Sequence, residues 1–113
     1  MIICAEGDTP AEEREAQTVL EILNGVYSWV PWHVSMRGGV IHIKDLSIAN
    51  RGWGMAVKFK NINHDSAVLR REIIMKAGEW LERAGKLRHR DDHEDIRRVD
   101  GIPEKYQPIV RPH

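Results

Sequence analysis

Apolar residues recur along this chain with two periods, and the change between them divides it. Ala16, Val19, Leu20 and Leu23 fall at i, i+3, i+4 and i+7, the single stripe of an amphipathic helix. Thr9-Pro10-Ala11-Glu12 supplies its start, with a threonine cap, proline at the first helical position and a glutamate three residues beyond the cap. Glu12, Glu13, Arg14 and Glu15 crowd the first turn, where the helix dipole favours acid, so the cluster reads as a solvated turn rather than a catalytic or metal site. Asn24-Gly25 is expected to end the helix.

Val26 to Val30 is apolar and aromatic, and Pro31 blocks ladder pairing, which predicts a connection or a short edge strand. From Trp32 the period becomes two. Gly38-Gly39 fits a two-residue hairpin turn, setting Arg37 opposite Val40, Met36 opposite Ile41 and Val34 opposite Ile43. Asn50-Arg51-Gly52 suggests a three-residue loop, which would pair Ile43 with Phe59, Asp45 with Val57 and Ser47 with Met55. Both turns then place Trp32, Val34, Met36, Ile41, Ile43, Met55, Val57 and Phe59 on one face. His33, Ser35, Arg37, Val40, His42 and Lys44 take the other. Leu46 and Ile48 fall on this polar side, so either a bulge near Asp45 resets the alternation or they meet Ile2-Ile3 or a second subunit.

The helical period returns after the polar stretch Asn61 to Ser66. Leu69, Ile73, Ala77, Trp80 and Ala84, flanked by Ile74 and Leu81, form a broad stripe, with Gly85 as the expected stop; Val68 and Met75 fall off it toward solvent. From Arg88 the chain is dense in charge and holds three of the five prolines, with Ile96, Val99, Ile102, Tyr106, Ile109 and Val110 widely spaced. Such a segment cannot form its own core. It is expected to be an extended arm with a helical turn around Asp92 to Arg98, its apolar residues docking on this domain or on another chain.

The fold class expected is α+β. Its order is α-β-β-β-α, a three-stranded antiparallel sheet with two helices packed on one face, plus an extended C-terminal arm. Residues 1–87 would form the domain and 88–113 the arm.

Composition narrows the function classes. Seventeen basic residues balance seventeen acidic ones in 113, so the formal net charge is zero and wholesale attraction to nucleic acid or membrane is not expected. The N-terminal part is acidic and Arg51 to Arg90 basic. A lone Cys4 excludes an internal disulfide and favours a reducing, cytoplasmic setting. No apolar run approaches the roughly 18 residues of a membrane span.

No catalytic, cofactor or metal residues emerge. His33 and His42 share a face with Ser35, but Asp45 projects from the other, so no triad forms. Asp91, Asp92, His93, Glu94 and Asp95, near His89, match no known ligand spacing and read as a solvated run. The glycine pairs are turns rather than phosphate-binding loops. Trp53, between two glycines and beside Arg51, has the character of an interaction hot spot or a base-stacking platform.

The order helix, three strands, helix over Thr9 to Gly85 resembles double-stranded-RNA-binding domains. Their basic K-K-x-A-K motif is replaced here by NHDSAVLRRE, and their G-P-x-H by MRGG. In size and in its proline-bearing tail the chain also resembles small accessory or virion proteins of tailed bacteriophages. The function expected is a non-enzymatic interaction or assembly module. It would self-associate or dock on a larger protein partner through Trp53, Arg51, Leu46, Ile48 and the arm residues Ile102, Tyr106 and Ile109. The alternative is nucleic-acid binding through Arg37, Arg51, Lys58, Lys60, Arg70 and Arg71. No small-molecule substrate and no membrane are expected.

Overall fold

The computed structural model describes residues 4–47, 54–58, 66–88 and 95–110, with 54–58, 66, 95–96 and 110 in backbone only. Its elements are β1 (Ala5–Gly7), α1 (Pro10–Val26), β2 (Trp32–Arg37), β3 (Val40–Asp45), β4 (Gly54–Lys58), α2 (Ser66–Arg83), β5 (Asp95–Ile96), a 3₁₀ turn (Glu104–Tyr106) and β6 (Ile109–Val110). The fold is α+β. Strands run in the order β1-β2-β3-β4, and β5 pairs with β6 as a separate ribbon. The expected antiparallel trio is present, joined by β1, which runs parallel to β2 with Ala5 opposite Val34 and makes the sheet mixed.

Thr9 caps α1 as its sequence predicts, its hydroxyl oxygen accepting from the Glu12 amide at 3.1 Å. The helix continues past Asn24-Gly25 to Val26, because Val26 and Tyr27 are both buried and the Tyr27 amide still bonds Leu23. The Gly38-Gly39 turn, with φ of 58° and 78°, fixes the β2–β3 register as expected, Arg37 opposite Val40 and Val34 opposite Ile43. The β3–β4 register differs. Ile43 pairs with Met55 rather than Phe59, and Ile41 pairs with Val57, because β4 begins opposite Lys44 and the connection is longer than three residues. The shift is even, so Met55 and Val57 keep their place in line with Ile43 and Ile41.

One core lies beneath that face. Ala16, Val19, Leu20 and Leu23 of α1 and Ile73, Ile74, Ala77, Trp80 and Leu81 of α2 are buried together with Trp32, Val34, Met36, Ile41 and Ile43. The rings of Trp32 and Trp80 meet at 6.3 Å. Val68 is 43% exposed, as its position off the stripe predicts, whereas Met75 packs against the core. Gly85, at φ 70°, closes α2 in a Schellman arrangement, with the Lys86 amide bonded to Leu81 and the Gly85 amide to Glu82.

The C-terminal segment docks on this domain, one of the two courses its sequence allows, and lacks the helical turn expected around Asp92 to Arg98 among its described residues. Ile102 and Tyr106 are core members, and Asp95–Ile96 is strand rather than helical turn. Tyr106 settles against α2 at Gly78, where an added Cβ would lie 2.6 Å from its ring and 2.6 Å from the Tyr27 hydroxyl. Tyr27 donates that hydroxyl to the Ile74 carbonyl at 2.8 Å, and burial, with Tyr106 nearby, holds its ionisation well above the ordinary phenol range. Gln107, itself buried, bonds Val99 and Ile102 and ties the segment into a closed loop. The apolar spacing is sparse because these residues complete a core built by others.

Candidate interaction surface

Both helices lie on one face of the sheet. Three rows cross its outer face by register: His33 with Lys44 and Gly54; Glu6 with Ser35, His42 and Ala56; Arg37 with Val40 and Lys58. Along these rows Ser35 is buried, Glu6, His33, Val40 and His42 are half-buried, and Arg37 and Lys44 are exposed. Glu6 stands 3.6 Å from His33 Nε2 and 3.6 Å from an Arg37 nitrogen, and Asp8 adds a second carboxylate at 3.8 Å from Arg37. The contacts of Arg37, itself exposed, each contribute little, while His33 is half-buried. His42 lies opposite Ser35 and diagonal to His33, as the hairpin register predicts. Among the described residues no group of three metal-ligating side chains converges.

A second cluster, unforeseen in the sequence, pins the end of β3 to the end of α2. Asp45, on the inner face opposite Trp32, has no side-chain exposure. Lys86 Nζ donates to Asp45 Oδ2 at 2.6 Å and to Ser47 Oγ at 2.7 Å, while the Ser47 amide and hydroxyl donate to Asp45 Oδ1. Burial alone would raise the Asp45 carboxyl, but hydrogen bonds from Lys86 and Ser47 outweigh it and hold the group below its ordinary range. The arrangement is a clamp.

Beside the clamp Trp29 is 36% exposed, donating its indole N–H to the Lys86 carbonyl at 3.0 Å, with the Arg88 guanidinium 5.5 Å from its ring centre. This tryptophan and cation have the features sought at Trp53 and Arg51. The expected partner residues are dispersed. Leu46 is half-buried, its amide bonded to Pro31, in a tight turn that takes the chain out of the sheet after Asp45. Ile102 and Tyr106 are committed to the core, and Ile109 is half-buried in β6. Trp53, Arg51 and Ile48 lie outside the described residues, as do Phe59, Lys60 and the run from His89 to Glu94.

Among the described residues the cations of the nucleic-acid alternative do not form one stripe. Arg37 and the Lys58 position belong to the outer face, whereas Arg70 and Arg71 sit half-buried on α2 across the sheet. Arg71 lies over the Gly101 turn, where an added Cβ would come 2.8 Å from its Cδ. Among the described residues no helix is long and apolar enough to cross a membrane. No family model, no curated protein and no solved structure matches this chain.

Proposed function

We propose that the protein is a non-enzymatic interaction module that assembles with protein, first with further copies of itself, through its sheet. The observation that carries this reading is the one-sided layering. Two helices and the C-terminal loop fill the core from one side, and by register the other side carries both charges around small residues. A formal net charge of zero adds little repulsion between copies. Protein is favoured over nucleic acid because the described basic residues of that alternative fall on two sides of the sheet and Arg37 already faces two carboxylates.

Sedimentation equilibrium of the full chain tests the reading. The expected result is an average mass above 13.0 kDa that rises with concentration. A mass fixed at that of one chain removes self-association. Tight, steeply salt-dependent binding of RNA or DNA by a monomer would instead favour the nucleic-acid alternative.

A further inference from the structure

We infer that a second copy of this chain pairs edge to edge with β4, antiparallel, about a two-fold axis at Ala56. The inference rests on the self-association reading and specifies its geometry. β4 ends the sheet order, and among the described residues β3 is its one strand neighbour.

The direction of its backbone groups follows from the first hairpin. A two-residue turn makes its flanking residues, Arg37 and Val40, a hydrogen-bonded pair, so Arg37, Ser35 and His33 turn their amides and carbonyls toward β3. An independent contact agrees: the Val34 amide points the other way, to the Cys4 carbonyl at 2.8 Å. Alternation then turns Ile41 and Ile43 toward β4, where they meet Val57 and Met55. Gly54, Ala56 and Lys58 are left with amide and carbonyl directed at the outer edge.

This edge is self-complementary about Ala56. In that register Ala56 opposes its counterpart and Gly54 opposes Lys58 of the second copy, so every outward group of the strand meets a partner. A slip of one residue would set outward groups against inward ones, and a slip of two centres on Met55 or Val57 and leaves the outward groups of Lys58 or Gly54 beyond the paired strand. The register also sets Met55 opposite Val57, apolar against apolar, and never sets lysine opposite lysine. Within its five described residues the strand has no proline, and its one charge is terminal. β1, at the far side, is a poorer edge. It is three residues long, and α1 crowds it so closely that a Cβ on Gly7 would come 2.6 Å from the Glu12 carbonyl carbon.

Two substitutions at one position test the pairing in the full chain. Gly54→Lys sets like charges opposite one another twice per dimer, and Gly54→Glu sets opposite charges there, with the same loss of glycine in both. The dimer dissociation constants, from sedimentation, are expected to differ on the order of tenfold, the lysine variant being weaker. Circular dichroism on both variants checks that each is folded; should either fail to fold, Ala56→Pro replaces them, since it removes an outward amide while leaving the β3 bonds of Met55 and Val57, and it is expected to abolish the dimer. Dimers indifferent to these charges overturn the edge pairing while leaving self-association standing. A wild-type chain that stays monomeric overturns both.

Discussion

Replacing Tyr106 by alanine is expected to lower the stability of the whole domain by about 3–5 kcal/mol, the usual cost of truncating a buried aromatic. Tyr106 is 4% exposed, fills the notch at Gly78, and donates its hydroxyl to Glu82 at 3.1 Å. The loss would appear as a lower midpoint in urea unfolding monitored by tryptophan fluorescence, since Trp32 and Trp80 report on the sheet and α2. An arm resting on the surface gives a different result: the midpoint would move by less than about 0.5 kcal/mol, as for an ordinary surface change. The distinction also governs truncation. A chain ending before residue 95 loses both Ile102 and Tyr106, so its failure to assemble would say nothing about a binding arm.

Lys86→Met is the second large effect. It leaves the Asp45 carboxylate buried with Ser47 as its remaining side-chain partner among the described residues, and breaking such a pair costs about 3 kcal/mol, the lower end of the usual range because Lys86 is itself 31% exposed. In the wild type the folded carboxyl titrates below the unfolded value of about 3.9. Its stabilisation is therefore present above that pH and is lost as pH falls through the folded value. Without the ammonium, burial raises the folded carboxyl, so the variant is most impaired at neutral pH and approaches the wild type in acid. Urea midpoints measured from pH 7 to pH 3 check this sign. A deficit that stays constant with pH would mean that packing of the lysine stem, rather than charge, is what Lys86 supplies.

Where a local signal encoded the geometry, it was legible. Thr9 and Pro10 start a helix by capping chemistry, and Gly38-Gly39 sets a register that orders every residue from Trp32 to Asp45. The second register was legible only in parity. Asn50-Arg51-Gly52 resembles a short loop, yet β4 pairs from Gly54, and nothing in the strand's own alternation distinguishes two registers related by an even shift. β1 has three residues and a parallel partner separated by a whole helix, so no local pattern marks it. The C-terminal loop is the extreme case, since Tyr106 lies 79 residues from Tyr27, toward whose hydroxyl its carbonyl points. One trace of it was present: a glycine in the middle of an otherwise strong helical stripe, at 78, signals a close approach by another element.

The same reasoning relocates the candidate surface. Asp45 looked like a residue on the wrong face for chemistry; burial opposite Trp32 makes it half of a clamp instead. With Ile102 and Tyr106 absorbed by the core, the interaction reading proposed above passes from the tail to the outer face and the β4 edge of the sheet.

Amide hydrogen exchange of β4 at low and high protein concentration tests this claim most directly. Met55 and Val57, bonded to β3, should be protected at both concentrations. Ala56 and Lys58 should exchange freely in dilute solution and become protected as the protein is concentrated. Exchange at Ala56 and Lys58 that is equally fast at every concentration, or equally slow even in the most dilute sample, would contradict the account.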